Sequence, residues 1–92
     1  MENVTLEPSP CNIQLRCRHD MVDQLIDKFG YGIAIGNVTD ETFDTIVEIS
    51  ASSTFYGWLF QYAGKIRIIA PGNVRQEYRE MLRNELEDEE LF

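Results

Sequence analysis

The stretch Phe55-Tyr56-Gly57-Trp58-Leu59-Phe60-Gln61-Tyr62-Ala63-Gly64-Lys65-Ile66-Arg67-Ile68-Ile69-Ala70-Pro71 changes from helical to strand periodicity at one glycine. Four residues of its first half share the i, i+3, i+4, i+7 spacing of one apolar helix face: Phe55, Trp58, Leu59 and Tyr62. Three residues of its second half alternate with Lys65, Arg67 and Ile69 as in a half-buried strand: Ile66, Ile68 and Ala70. The stretch predicts a helix that ends at Gly64 and runs directly into a strand that Pro71 terminates.

The rest of the chain supplies the other elements of an α+β domain. Residues 11–18 alternate apolar and polar side chains and predict a first strand, and residues 22–29 have helical spacing that ends at Gly30. Residues 31–38 and 42–50 predict two strands of a hairpin around a turn. A last helix is expected after Asn73, whose side chain would cap it.

The resulting order is β-α-β-β-α-β-α. Two βαβ units with right-handed crossovers, split around a central hairpin, predict a ferredoxin-like sandwich. Its single antiparallel sheet would have the strand order 4-1-3-2, with two helices on one face. The last helix is an addition to this arrangement and is expected at an edge or end of the sheet.

The composition limits the classes of function. Ninety-two residues make one domain, and the net charge of −8 repels phosphate backbones, which argues against a dedicated nucleic-acid binder. Cys11 and Cys17 lie on the same predicted strand about 20 Å apart, too far for a disulfide. This favours a reducing compartment, and no stretch approaches the roughly 20 apolar residues of a membrane span. We therefore expect a cytoplasmic protein that does not contact a membrane.

Several chemistries that ferredoxin-like domains host lack their residues here. A soft-metal carrier needs a Cys-x-x-Cys loop, and an RNA reader needs aromatic side chains on the open face of the sheet. Neither pattern occurs in the expected positions. His19 is the only histidine and has no identifiable nucleophile beside it. The sequence predicts no catalytic residue, no cofactor and no metal site.

The sheet face away from the helices is expected to form a contact surface. Isoleucines among charged side chains suit an interface with another domain or subunit better than a deep ligand pocket. Arg67 is expected to lie beside Arg16, with Asp44 exposed nearby. The candidate interaction surface consists of the following residues: Arg16, Arg18, His19, Ile46, Arg67 and Ile69.

Two details of the helices carry further expectations. Gly57 lies inside a predicted helix, where glycine costs about 1 kcal/mol relative to alanine, and close packing against a neighbour would explain it. Arg75, Arg79 and Arg83 recur every four residues on the last helix. Because acidic residues lie within one turn of Arg83, this stripe is interpreted as a solvated face.

The pattern Phe55-x-x-Trp58-Leu59-x-x-Tyr62-x-Gly64-x-Ile66-x-Ile68-x-x-Pro71-x-x-Val74 resembles the C-terminal extension, called WCX, of bacterial WYL-domain transcriptional regulators. The likeness covers about residues 11–86. It rests on packing residues, so it identifies an architecture directly and an activity only by association. The residues that form this family-motif core are Phe55, Trp58, Leu59, Tyr62, Gly64, Ile66, Ile68 and Pro71.

The resemblance implies a piece of a larger regulator. An N-terminal winged helix-turn-helix would bind promoter DNA, a WYL domain would sense an effector, often nucleic acid, and this ferredoxin-like module would follow. Residues 1–10 would be a linker or the end of the preceding WYL domain, and residues 11–92 a non-catalytic regulatory or dimerisation module. Its partners would be the upstream domains and a second protomer in a homodimer, with DNA bound only through the N-terminal domain.

Two other functions stay open. A free-standing small-molecule sensor of the ACT type would bind an amino acid or similar ligand at a dimer interface. The turn at Arg18-His19-Asp20 lacks the glycine that lets a ligand approach the backbone closely in such a sensor. Binding of single-stranded nucleic acid would need a basic groove, which the sequence does not obviously supply.

Overall fold

The computed structural model describes residues 8–87, and their helices and strands follow the predicted order. The strands are β1 (Pro10–Arg18), β2 (Ala34–Gly36), β3 (Thr42–Ser50) and β4 (Ile66–Ala70). The helices are α1 (Val22–Phe29), α2 (Ser53–Phe60) and α3 (Gly72–Glu87), and a short 3₁₀ turn (His19–Met21) precedes α1. Most of the predicted linker, residues 1–10, lies outside the described residues. No helix within residues 8–87 is long and apolar enough to cross a membrane.

The four strands form one antiparallel sheet in the order β2-β3-β1-β4. This is the predicted order 4-1-3-2 counted from the opposite edge. The longest pairing joins β1 to β3, from Pro10 opposite Ser50 to Arg18 opposite Thr42. The α+β class and the strand order are confirmed.

One face of the sheet carries the hydrophobic core, because the apolar residues of the strands recur at every second position. The sheet contributes Ile13, Leu15, Cys17, Phe43, Val47, Ile66 and Ile68. The helices contribute Leu25 from α1, Phe55, Tyr56 and Leu59 from α2, and Val74 from α3. Helices α1 and α2 therefore pack against the same face of the sheet, and the opposite face is left open.

Burial also determines the protonation state of Cys17, at the centre of the sheet. The Cys17 side chain is fully buried in the core. Burial, assisted by the nearby negative charge of Asp44, raises the pKa of Cys17 to about 12. The thiol is therefore neutral at physiological pH and behaves as a small hydrophobic group.

The aromatic residues of α2, with Tyr62 in the turn after it, pack largely as their spacing predicts. Phe55 and Leu59 are buried, and Trp58 and Tyr62 are partly buried against the core. The Trp58 ring meets the rings of Phe29 and Tyr62 edge-on, each with a centroid separation of 5.4 Å. Through these contacts the end of α1 packs against α2.

The start of α2 matches the sequence pattern, but its end does not. The Ser52 side chain accepts a hydrogen bond from the backbone N–H of Phe55, which caps the helix. Gly64 has a φ of +87°, a left-handed conformation that glycine adopts at little cost. The predicted helix end is wrong, however: α2 ends at Phe60, and residues 61–65 form turns that contain Gly64 and lead into β4. The backbone N–H groups of residues 61–63 bond three residues back instead of four, so the α-helix tightens into turns before it reaches the glycine.

Two strands differ from their predictions. Strand β2 has three residues instead of the expected span of 31–38, and Tyr31 is 89% exposed. The glycines in this edge segment weaken its strand preference. In β4 the pairing shifts, so that Ile68 lies opposite Leu15 but Ala70 lies opposite Gln14. Ile69 is the extra residue of this bulge, and the predicted inward alternation stops at Ile68.

The predicted cap of the last helix is wrong. Helix α3 begins at Gly72, so Asn73 lies inside the first turn. The Arg75 backbone N–H donates to the carbonyl oxygen of Pro71 at 3.1 Å. Because the cap residue is the one whose carbonyl accepts this first helical bond, Pro71 occupies the cap position.

The explanation expected for Gly57 is also wrong. Apart from the glycine, its two chain neighbours and the adjacent backbone of α2, no atom lies within 4 Å of the position that a Cβ would occupy, and the residue is exposed. Close packing therefore does not account for the glycine at this position. Nothing else in the structure explains it.

Gly57→Ala should raise the free energy of unfolding by about 0.8–1 kcal/mol, because alanine is the better helix former and meets no obstacle. Urea unfolding followed by Trp58 fluorescence measures the change. The control is Gly64→Ala, which should lower stability because the φ of +87° disfavours a side chain. A destabilised Gly57→Ala protein would contradict the open environment assigned to this glycine.

Candidate interaction surface

A buried carboxylate organises the open face of the sheet. Asp44 lies on β3 opposite Arg16 of β1 and Gly36 of β2, and only 4% of the residue is exposed. Its Oδ1 accepts a hydrogen bond from Arg16 Nε at 2.8 Å. Its Oδ2 accepts three, from Arg16 Nη2 (3.0 Å), Gln14 Nε2 (2.9 Å) and Asn37 Nδ2 (3.0 Å). The expectation that Asp44 is exposed is wrong.

The same donors set the charge state of this carboxylate. The hydrogen bond from Arg16 is the largest of the effects that hold the pKa of Asp44 well below its usual range. Burial acts in the opposite direction and is outweighed by the donors. The hydrogen bond to Asp44 also raises the pKa of Arg16. Asp44 is therefore ionised in the folded protein.

The centre of the open face holds two of the predicted surface residues. The Arg16 side chain is 47% exposed, but its guanidinium is committed to Asp44. Ile46 is 58% exposed and lies between Gln14 of β1 and Ala34 of β2. Directly opposed residues share a face of the sheet, so this isoleucine lies among small and polar neighbours.

These neighbours form a shallow depression of about 340 Å³ beside Asp44. We call its outward residues the open-face patch: Gln14, Ala34, Gly36 and Ile46. The Gln14 amide is already hydrogen-bonded to Asp44. The patch thus presents an exposed apolar side chain beside a polar group of fixed orientation, an arrangement suited to a protein contact.

Arg67 and Ile69 lie towards the β4 edge of the sheet. Arg67 is exposed and opposite Arg16 in the β1–β4 register, as expected. Ile69 is partly buried at the bulge. Both residues line a groove between β4 and α3, so the structure separates them from Ile46 by the width of two strands.

Arg18 and His19 form a third location, at the corner between β1 and α1. His19 Nε2 donates to the carbonyl oxygen of Thr39 at 2.8 Å, and its ring meets Phe43 edge-on at 6.0 Å. These contacts join the corner to the turn that precedes β3. Four of the six predicted surface residues thus line two adjoining depressions along β4: Arg16, Arg18, Arg67 and Ile69. Ile46 lies towards β2, and His19 lies at the corner.

Asn37 is a residue of this surface that sequence reasoning missed. It has a φ of +49°, a conformation that asparagine tolerates better than most residues, and this turns its side chain amide to Asp44. The available signal was the dipeptide Gly36-Asn37, which is typical of turns. The pairing of Arg16 with Asp44 follows from opposite charges in facing positions once the strand register is known.

One family of proteins matches this chain. The family model described as WCX domain matches residues 9–85, a range that begins one residue before β1 and ends within α3. No curated protein matches the chain, and no solved structure matches it.

Asp44→Asn should lower the free energy of unfolding at pH 7 by about 1.5–3 kcal/mol, the range for hydrogen bonds to a charged group. The asparagine amide retains the shape of the side chain but loses the charge. Its N–H₂ group would also face N–H donors that now bond to the carboxylate. Glu48→Gln, an exposed carboxylate on the same strand, is the matched control and should change stability by less than about 0.5 kcal/mol.

The same pair of variants has a pH signature. Because the pKa of Asp44 is lower in the folded than in the unfolded protein, its stabilisation is complete above the unfolded value of about 3.9 and declines below it. The difference in the free energy of unfolding between the native protein and Asp44→Asn should therefore become smaller from pH 5 towards pH 2. Urea unfolding of both proteins at each pH measures this difference. A difference that does not change with pH would contradict the assigned charge state.

Proposed function

Since the chain belongs to the WCX domain family, we propose that it is the C-terminal, non-catalytic regulatory module of a bacterial WYL-type transcriptional regulator. The observation that carries this proposal is the family match over residues 9–85. In the regulator, a winged helix-turn-helix domain binds promoter DNA and a WYL domain senses the effector. Both are separate from the module, which works in the cytoplasm, where bacterial DNA lies.

The fold proposed with this function is the ferredoxin-like sandwich. It is supported by the strand order, by antiparallel pairing throughout the sheet, and by two helices that share the buried face. Helix α3 is the addition, and it lies next to the edge strand β4. This arrangement leaves one sheet face available for a neighbouring domain.

The charge of the chain supports an assembly role over direct contact with DNA. The net charge of −8 opposes the approach of a phosphate backbone. A module of this charge positions or dimerises the regulator while another domain binds promoter DNA. Its partners in the proposal are the WYL domain and a second protomer.

The open-face patch is the contact surface that we assign to this role. Ile46 supplies an exposed apolar group at its centre, and the Asp44 cluster holds the polar neighbours in place. A surface whose side chains are already ordered loses less conformational entropy when a partner binds. The Arg18–His19 corner extends the contact to the side of the sheet.

Ile46→Glu in the intact regulator should weaken the domain or subunit contact at least about tenfold, because an unpaired carboxylate enclosed in an interface costs several kcal/mol. Sedimentation equilibrium measures dimerisation, and hydrogen exchange of the β3 amides measures coverage of the patch. Val38→Glu adds the same charge at a residue that is 63% exposed outside the patch, and it should leave both unchanged. Arg16→Glu would not test the contact, because it would place a second carboxylate beside the buried Asp44 and destabilise the fold itself.

Two results would contradict the proposed role. If Ile46→Glu changes neither the association nor the hydrogen exchange of the β3 amides, the open-face patch is not the contact surface. A thermal-shift screen in which an amino acid stabilises the module would favour the ACT-type sensor. A ligand present at 100 times its dissociation constant adds about 2.7 kcal/mol of stability, which such a screen detects.

A further inference from the structure

The basic residues of this acidic chain are concentrated on one side of the fold. Two adjoining depressions along β4 are lined by six of its eight lysines and arginines. These six are Arg16, Arg18, Lys65, Arg67, Arg75 and Arg79. A chain with a net charge of −8 therefore has one side on which positive charge is collected.

The larger depression is a groove of about 470 Å³ between the edge strand β4 and helix α3. Helix α3 lines it with residues at i, i+3, i+4 and i+7, which form one helix face: Arg75, Tyr78, Arg79 and Leu82. Strand β4 contributes Arg67 and Ile69. We call this the β4–α3 groove, and it combines guanidinium groups with apolar side chains.

The arginines of the groove lack acidic partners within the described part of the chain. Among residues 8–87, Arg16 is paired with Asp44 and Lys65 with Asp20, at 2.8 and 3.3 Å. No carboxylate of these residues pairs with Arg67, Arg75 or Arg79. A guanidinium binds a carboxylate through two parallel hydrogen bonds, so these three groups fit an acidic ligand.

The strand that lines the groove is at the edge of the sheet. β4 pairs with β1 on one side, and within residues 8–87 no strand pairs with its other side. An unpaired strand edge presents backbone N–H and C=O groups that match those of an added strand. A groove between an edge strand and a helix is suited to an extended peptide, which pairs through its backbone and is selected by its side chains.

We propose that the β4–α3 groove binds an extended acidic peptide segment of a partner protein, which adds a strand to β4. Its carboxylates pair with Arg67, Arg75 and Arg79. Its apolar side chains lie against Ile69, Tyr78 and Leu82. Because guanidinium groups and apolar side chains line the groove together, the segment carries both acidic and apolar residues.

The lining favours a peptide over a single-stranded nucleic acid. Binding of unpaired bases uses several aromatic side chains as stacking surfaces, and Tyr78 is the one aromatic residue that lines the groove in the described part of the chain. The overall negative charge also opposes a long polyanion. A short peptide brings a few carboxylates to the arginines without extending across the acidic remainder of the surface.

The probe is the acetylated and amidated peptide Glu-Val-Glu-Ile-Glu-Val-Glu, titrated into the isotope-labelled chain by NMR. Saturable shifts confined to β4 and the facing side of α3 are expected. Arg79→Glu should weaken binding at least about tenfold, the effect of losing a charged hydrogen-bonded pair. Arg83→Glu makes the same charge change one helical turn away, outside the lining of the groove, and should alter affinity less than about twofold.

A second peptide tests the strand addition separately from charge. N-methylation of alternate residues removes backbone donors and leaves every carboxylate in place, so it should abolish binding. Equal binding of the N-methylated peptide would overturn the proposal, as would equal losses in Arg79→Glu and Arg83→Glu. Absence of binding by the first peptide, or tighter binding of an oligothymidylate of equal charge, would overturn it too. None of these readouts depends on the module's role in a regulator.

Discussion

The buried carboxylate of Asp44 is the constraint on which the open side of this fold depends. Helices cover only one face of the sheet, so the hydrophobic core orders that face and leaves the other without packing. On the open face, four hydrogen bonds to Asp44 join side chains of β1 to Asn37, which precedes β3. Charged hydrogen bonds of this kind are stronger than neutral ones. They fix the outward side chains without a second layer of apolar packing.

This constraint also divides the basic residues into two groups. Arg16 forms a salt bridge with Asp44, whereas Arg67, directly opposite it, has no such partner among residues 8–87. The open-face patch is therefore nearly neutral and centred on Ile46. The guanidinium groups of the β4–α3 groove have no carboxylate partner within the described residues. Two neighbouring surfaces of different chemistry result, one suited to a stable domain contact and the other to an acidic segment.

Much of the fold could be predicted from the sequence because periodicity and end signals agree in most elements. The helix of Phe55 and Leu59 and the strand of Ile66 and Ile68 follow from local patterns, although the helix ends at Phe60 and not at Gly64. Strand order follows from the handedness of two crossovers. The extent of β2 and the bulge at Ile69 do not follow, because both depend on which residues of a neighbouring strand are available for pairing.

The surfaces were harder to predict than the core. Strand alternation places Asp44 outward, and an outward carboxylate is normally in solvent. Its burial requires donors from Gln14 and Asn37, which lie 30 and 7 positions away in the sequence. The stripe of Arg75 and Arg79 is exposed, in agreement with its interpretation as a solvated face. Its place beside β4 depends on where α3 packs, which a single sequence pattern does not encode.

The most direct test of the proposed regulatory role is the nucleotide sequence of the genomic DNA upstream of the Met1 codon. We expect an open reading frame, continuous with this chain, that encodes a winged helix-turn-helix followed by a WYL domain. An in-frame stop codon close to Met1, with a ribosome-binding site between the two, would contradict that role. The chain would then act as an independent binding domain.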